Sequence, residues 1–298
     1  MPPQKRQRPR SREVKAQLFA LGAIALWVSV ASLGVLLKHL PPFLLTGVSL
    51  LIGCLLALPQ VLRDPRQWRI PLSTLALGIY GLFGYHFMLF MALRLAPAVE
   101  ANLINYLWPL LMVVLAPVLL KNMSLRPIHL GAALLGFGGA ALAILGAANH
   151  VDALPRSESA GGAAGYLAAL AAAFMWSSYS LLTQRVAAFP SAAIGLFALV
   201  SGVLSLLCHW ALEAPTSLSL RDGFLLALMG LGPLGGAFYL WDKALKLGDA
   251  RQIGILSYLT PLGSTALLIL VTGRQWSWSI ALAALMIMLA ALLGTRAR

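Results

Sequence analysis

Apolar residues along this chain form long continuous runs, not the alternating pattern of half-buried strands. Charged and turn-forming residues divide the chain into ten such runs. Each has about 20 residues, the length that a helix needs to cross the hydrocarbon core of a bilayer. A membrane β-barrel is excluded because its strands would alternate. We therefore predict an all-α integral membrane protein, with spans near residues 16–37, 43–62, 71–93, 98–119, 127–148, 164–184, 190–212, 222–245, 252–272 and 277–295.

The composition supports this prediction. Hydrophobic residues make up 60% of the 298 positions and charged residues only 10%, whereas a soluble domain carries roughly 25% charged residues. Water cannot cover so much apolar surface, so membrane lipid is an expected partner.

The formal charge of +13 is unevenly distributed. A basic tail ahead of an apolar run is typical of a cytoplasmic segment attracted to anionic lipid. No basic patch with stacking aromatics follows the tail, so we expect no nucleic-acid partner. The basic residues of this tail are Lys5, Arg6, Arg8, Arg10, Arg12 and Lys15.

Lysine and arginine also predict the orientation of the spans. With the N-terminus inside, 17 of the 22 basic residues fall on the cytoplasmic side. This excess predicts that both termini are cytoplasmic. The five on the other side are Lys38, Arg94, Arg156, Arg221 and Arg274.

The two halves of the chain resemble each other. Residues 92–110 read ALRLAPAVEANLINYLWPL and residues 244–262 read ALKLGDARQIGILSYLTPL, with eight of 19 positions identical. The repeated unit contains five predicted spans. Because five is odd, the second copy is expected to cross the membrane in the opposite sense, as in many transporters.

A second match supports the duplication, because a Trp precedes a Pro by fourteen residues in each half: Trp27 before Pro41, and Trp176 before Pro190. We therefore divide the chain into four parts. They are a basic tail (1–15), a first five-helix repeat (16–148), a polar, Gly-rich periplasmic linker (149–163) and a second repeat (164–298).

Two prolines at matched positions indicate where a substrate would bind. Pro109 and Pro261 lie near the middle of the fourth and ninth predicted spans. Proline removes a helical hydrogen bond and kinks the helix. At bilayer depth the freed backbone must face protein or a wet cavity, and paired interruptions point to a transporter's substrate site. A kinked helix without a ligand is the alternative.

Aromatic side chains that carry a polar atom surround these prolines. Deep in hydrocarbon that atom would lack a partner, so an inward-facing cavity is favoured. Such a cavity suits an aromatic side chain and, by cation–π attraction, an ammonium group. An aromatic belt at the membrane interface is the alternative for tryptophans near span ends. The predicted substrate-binding residues are Tyr85, His86, Asn102, Tyr106, Trp108, Trp176, Tyr179, Tyr239 and Tyr258.

Three details of this site stay open. His86, well inside a span, is a candidate for a proton-coupled or gating role, with a buried neutral histidine bonded to a backbone carbonyl as the alternative. Asn102 has the alternative of an interhelical hydrogen bond. Glycines at comparable places in the third and eighth spans, 78–84 and 230–236, are expected to be the bending elements.

These motifs resemble a known family. The AxxLxxAxxAxLxxYLxP pattern at 92–109 and the two five-span halves are similar to the EamA branch of the drug/metabolite transporter superfamily. The segment 105–109, NYLWP, and the aromatic third span are similar to its YddG-type exporters of aromatic amino acids. The resemblance implies ten helices around a central cavity and export of aromatic amino acids and related small molecules by alternating access. It also implies a monomer in the bacterial inner membrane.

Other function classes find little support. An enzyme would need a nucleophile–base pair, a metal cluster or paired carboxylates, and no HExxH, GxSxG or Walker-type pattern occurs. Cys54 and Cys208 lack the spacing of a metal site, so no metal or other cofactor is expected. A channel would show carbonyl or charge rings. Export of other metabolites or drugs is the alternative within transporters.

Overall fold

The computed structural model describes residues 9–121, 123–148, 162–272 and 278–296. Within these ranges the regular elements are helices, and no strand occurs. The α-helices are α1 (Pro9–Leu36), α2 (Pro42–Cys54), α3 (Leu58–Arg63), α4 (Leu72–Ile79), α5 (Tyr85–Leu95), α6 (Ala98–Asn105), α7 (Trp108–Leu119), α8 (Pro127–Ala148), α9 (Gly162–Leu182), α10 (Ala193–Leu212), α11 (Leu220–Leu231), α12 (Ala237–Leu247), α13 (Ala250–Leu256), α14 (Leu259–Thr272) and α15 (Trp278–Arg296).

Eight helical segments of the described chain are long and apolar enough to cross a membrane. They confirm a multi-pass, all-helical membrane protein. The predicted ninth span corresponds to α13 and α14, and the apolar part of α15, Trp278–Gly294, is shorter than the others. The count of ten therefore stays a prediction. The eight segments are Ser11–Leu36, Pro42–Arg63, Leu72–Leu95, Ala98–Leu119, Pro127–Leu145, Ala163–Leu182, Ala193–Leu212 and Leu220–Leu247.

The predicted parts at either end of the first repeat fall partly outside the described residues. Of the basic tail, residues 1–8 lie outside them, and α1 already begins at Pro9, inside the predicted tail. Of the predicted linker, residues 149–161 lie outside them.

The two matched prolines begin new helices. Pro109 lies in the first turn of α7, two residues beyond Leu107, and Pro261 lies in the first turn of α14. Proline is tolerated there because its missing N–H is one that a helix start leaves unpaired. The interruptions therefore occur at the matched places, but as helix breaks at 106–107 and 257–258 rather than as kinks within continuous helices.

The Gly-containing segments also match between the halves. A π-helical turn, Tyr80–Gly84, joins α4 to α5, and a second one, Gly232–Gly236, joins α11 to α12. Single π-helical turns inside α-helices are rare and are frequent at functional sites. The predicted bending segments therefore have an irregular backbone, while their motion stays a prediction.

Packing between helices follows the duplication. Helix α1 packs on α12 and α14, and its counterpart α9 packs on α5 and α7. The pairs α2–α10 and α8–α15 join equivalent helices of the two halves. Exchanging the halves therefore converts α1–α12 into α9–α5 and α1–α14 into α9–α7, and it leaves α2–α10 and α8–α15 unchanged.

Hydrogen bonds between distant segments define one end of the bundle, which we call the N-terminal face. The Arg12 side chain donates to the carbonyl of Lys246 at 3.5 Å, and Gln184 donates to the carbonyl of Leu245 at 3.0 Å. Arg251 donates to the carbonyl of Ser124 at 2.6 Å. The start of α1 and the ends of α9 and α12 therefore lie at this face.

The opposite face is held together by a buried carboxylate. Glu213, at the end of α10, accepts from the backbone N–H groups of Phe43 and Leu44 at 3.1 and 3.3 Å. Arg94 and His209 also contact it, at 3.3 and 2.9 Å. The free N–H groups at the start of a helix favour such an anion. This face thus joins α2, α5 and α10.

The close approach of the second π-helical turn to α2 gives a first prediction. A Cβ on Gly235 would meet the carbonyl oxygen of Gly230 and would lie 2.7 Å from the Cα of Gly53. Because these are backbone atoms and cannot move away as the end of a flexible side chain can, we expect Gly235→Ala to lower the free energy of unfolding in detergent by about 1–3 kcal/mol. Gly223→Ala is the control, since nothing lies within 4 Å of that Cβ. Equal stability of the two variants would contradict this packing.

Candidate substrate-binding site

A cavity of about 400 Å³ lies in the middle of the bundle. Small-molecule sites are typically about 300–1,000 Å³. Its wall comes from both halves, including α1, α2, α5, α6 and α7 of the first and α9, α11, α12 and α14 of the second. The described residues that line it include no Asp, Glu, Lys or Arg.

The cavity extends from the middle of the bundle toward the face opposite the N-terminal face. Its wall includes Gly34 near the end of α1, Leu45 near the start of α2 and Leu93 near the end of α5. These helix ends adjoin the residues that Glu213 holds together.

Four tryptophans pack together at the other end of the cavity. Each ring contacts the other three, with centroids 5.1 to 6.5 Å apart. Most of these pairs meet edge to face, the arrangement that the ring quadrupole favours. We call this group the tryptophan cluster. Two members come from each half of the chain: Trp27, Trp108, Trp176 and Trp241.

Two indole N–H groups of the cluster have polar partners. Trp27 donates to the carbonyl of Pro233, in the second π-helical turn, at 3.1 Å. Trp241 donates to the hydroxyl of Ser180 at 3.1 Å. A buried indole N–H needs such a partner, and these bonds fix α1 against the π-helical turn and α12 against α9.

Polar side chains of α5 and α6 form one wall. The Asn105 amide nitrogen donates to the Tyr85 hydroxyl at 3.4 Å. His86 places Nδ1 2.6 Å from the carbonyl oxygen of Leu82, one turn earlier. This contact matches the alternative of a buried histidine bonded to the backbone, and the His86 ring also lines the cavity.

The structure brings together six of the nine predicted site residues. They line one cavity, and whether they bind substrate stays a prediction. The six are Tyr85, His86, Asn102, Tyr106, Trp108 and Trp176.

The other three predicted residues do not line the cavity; Tyr179 and Tyr258 are buried and Tyr239 is partly buried. Tyr179 packs against Trp176 with tilted rings, their centroids 5.4 Å apart. Tyr239 donates to the carbonyl of Gly53 at 3.2 Å, and Tyr258 is fully buried in a cluster with Ile287. Each occupies the predicted span, but its side chain packs against a neighbouring helix instead of lining the cavity.

Several lining residues are outside the predicted set. Phe238 lies next to the predicted Tyr239, and Trp27 is the repeat partner of Trp176. Thr260 is the repeat partner of Trp108, since both lie just before the matched prolines. Alignment of the two repeats therefore identifies Trp27 and Thr260 as candidate lining residues.

A buried ion pair lies between the tryptophan cluster and the N-terminal face. Lys246 contacts Asp242 at 2.7 Å, and the Asp242 side chain is only 3% exposed. Asp242 also accepts from the Ser191 hydroxyl at 2.5 Å, and Lys246 donates to the carbonyl of Phe189 at 2.9 Å. These bonds tie α12 to the segment before α10 and close this end. Among the described residues, no three potential ligands gather as a metal site.

Membrane-spanning helices around a central, uncharged and aromatic cavity define a membrane transport protein. Sequence comparison identifies its family. The pattern of the EamA-like transporter family matches residues 14–145 and 163–296, so the chain belongs to that family. Its members are transporters, and the prediction that this chain is not an enzyme is confirmed.

Individual relatives match nearly the full length. A protein of Ancylobacter novellus named aromatic amino acid exporter YddG is 37% identical over 91% of this chain and 94% of its own. A protein of the same name from Escherichia coli is 26% identical over 92% of this chain and 94% of its own. A crystal structure of a chain 36% identical superposes with a TM-score of 0.85, covering 94% of this chain and 97% of that one.

The ion pair below the cluster gives a second prediction. Lys246→Met leaves the Asp242 carboxylate buried without its cation, and uncompensated buried charge is strongly destabilising. Because Lys246 is partly exposed, we expect a loss of about 1–3 kcal/mol in the free energy of unfolding. Lys243→Met is the control, since the Lys243 ammonium group lies over the ring of Phe19, 5.6 Å from its centroid. Chemical unfolding in detergent measures both variants. An equal loss of unfolding free energy in Lys246→Met and Lys243→Met would contradict the stabilising role of the ion pair.

Proposed function

We propose that this protein exports aromatic amino acids and related small metabolites across a bacterial inner membrane by alternating access. The tryptophan cluster at the end of the cavity carries the proposal, because three of its members, Trp27, Trp108 and Trp176, present aromatic rings from three helices to one ligand-sized space. The names of the relatives from Ancylobacter novellus and Escherichia coli support the same substrate class.

The chemistry of the wall favours a molecule with an aromatic ring and no net charge. A ring that packs on tryptophan gains about 0.5–1.5 kcal/mol beyond the burial of its area. An ammonium group over the indole face is also attracted. A net charge would lack a counter-ion among the lining residues that the structure describes, and burying it would be costly. An amino acid zwitterion meets these conditions.

The duplication supports alternating access. In the proposed arrangement ten spans form two inverted repeats, and exchange of their conformations would open the cavity to the other side. The π-helical turns Tyr80–Gly84 and Gly232–Gly236 are the proposed bending elements. With the N-terminal face in the cytoplasm, as the distribution of Lys and Arg favours, the cavity as it stands is directed toward the periplasm.

One chain encloses the cavity by itself, so we propose that the monomer is the working unit. Both halves contribute to the wall, including Trp27 and Trp108 from the first and Trp176 and Phe238 from the second. No second subunit is needed to complete it.

Counterflow into proteoliposomes tests this function. We expect vesicles loaded with unlabelled L-phenylalanine to accumulate labelled L-phenylalanine or L-tryptophan transiently, and not labelled L-lysine or L-aspartate. Accumulation of charged amino acids to the same extent would contradict the substrate class. Efflux only of unrelated drugs or metabolites would favour the alternative of a different EamA exporter.

Truncating the cluster gives a third prediction. Trp108→Ala removes a ring that contacts three other tryptophans, and Tyr106→Ala removes its neighbour in the wall. We expect each to reduce counterflow of L-phenylalanine at least tenfold, because a ring contact and buried area are lost together. Trp210→Ala is the control, since this side chain is 84% exposed on the outside of α10. Unchanged flux in both cavity variants, with folding verified by gel filtration, would discard this site.

A further inference from the structure

Three residues in the cavity wall carry a buried polar atom that has no hydrogen-bond partner among the described residues: Thr46 Oγ1, Asn105 Oδ1 and Thr260 Oγ1. An unpaired buried donor or acceptor is unfavourable, and native proteins satisfy nearly all of them. Because these three line a ligand-sized cavity, a bound molecule is the natural partner.

Accessibility separates the three. Thr46 is fully covered at 0% exposure, whereas Asn105 and Thr260 retain 4% and 7%. Only the latter two line the cavity and also keep some exposed surface, with more than nine-tenths of each residue buried. They also lie at the two helix breaks, Asn105 at the end of α6 and Thr260 in the first turn of α14.

The repeat makes the position of Thr260 informative. Its counterpart in the first half is Trp108, a member of the tryptophan cluster. Equivalent positions at the two breaks therefore supply an aromatic ring from one half and a hydroxyl group from the other. The cavity is thus chemically asymmetric although the backbone is duplicated.

The free atoms differ in chemistry. The Asn105 amide nitrogen already donates to Tyr85, so its free atom is the oxygen, which can only accept a hydrogen bond. Thr260 has a free hydroxyl, which can donate to an anion. A ligand that satisfies both atoms brings a donor and an acceptor together.

We propose that Asn105 and Thr260 form a subsite for the polar end of an α-amino acid. Asn105 Oδ1 accepts from the α-ammonium group, and the Thr260 hydroxyl donates to the α-carboxylate. The tryptophan cluster holds the side chain. This inference rests on the proposed function and adds that the protein selects molecules that carry both charged groups, against aromatic amines and aromatic acids.

Ligand-induced thermal stabilisation of the purified protein tests the subsite, because it reports binding without transport. The ligands are L-phenylalanine, phenethylamine, which lacks the carboxylate, and 3-phenylpropionate, which lacks the ammonium group. The variants are Thr260→Val and Asn105→Leu, which keep side-chain size, and Thr260→Ser, which keeps the hydroxyl. The control is Thr74→Val, because Thr74 also has an unpaired buried hydroxyl but does not line the cavity.

Each variant has its own expected pattern. Thr260→Val should weaken the apparent affinity for L-phenylalanine and 3-phenylpropionate about tenfold, as expected for the loss of one hydrogen bond to a charged group. The affinity for phenethylamine should be unchanged. Asn105→Leu should weaken the apparent affinity for L-phenylalanine and phenethylamine and leave the affinity for 3-phenylpropionate unchanged. Thr260→Ser and Thr74→Val should bind like the wild type.

The outcomes separate this inference from the proposed function. Equal effects of Thr260→Val on all three ligands, or no effect on any, would overturn the subsite while the proposed substrate stands. No stabilisation of the wild-type protein by any aromatic amino acid would overturn both.

Discussion

Mutual packing of four tryptophans, two from each half of the chain, is the interaction on which the rest of the site depends. It joins helices that are far apart in sequence, and it ends the cavity at the level of the two helix breaks. Trp27 also bonds to Pro233 in a π-helical turn, so the cluster and the irregular backbone are one unit. Any movement of one half against the other must rearrange these rings.

The membrane sets the second constraint. In hydrocarbon, backbone groups that leave the helical pattern must face protein or a cavity. The described residues include two matched helix breaks and two matched π-helical turns. Residues in or near each of the four line the same cavity, among them Tyr85, Tyr106, Pro233 and Thr260. The irregular parts of the fold and the candidate site therefore coincide.

Sequence patterns predicted eight of the spans that the described residues contain, because lipid requires continuous apolar runs of defined length. They also located the interruptions, since Pro109 and Pro261 can start a helix but not continue one. They did not predict which side of each helix faces inward. In a membrane both sides are apolar, so neighbours such as Phe238, which lines the cavity, and Tyr239, which does not, look equivalent. Only packing between helices separates them.

The central claim is that two copies of one unit enclose the cavity in opposite orientations. Equivalent exposed positions, Lys38 after α1 and Ala187 after α9, test it directly. In a background with Cys54 and Cys208 replaced by Ala, a membrane-impermeant maleimide is added to spheroplasts that carry Lys38→Cys or Ala187→Cys. Labelling of the first variant in intact spheroplasts, and of the second only after permeabilisation, is the predicted result. Labelling of both from the same side would contradict the account.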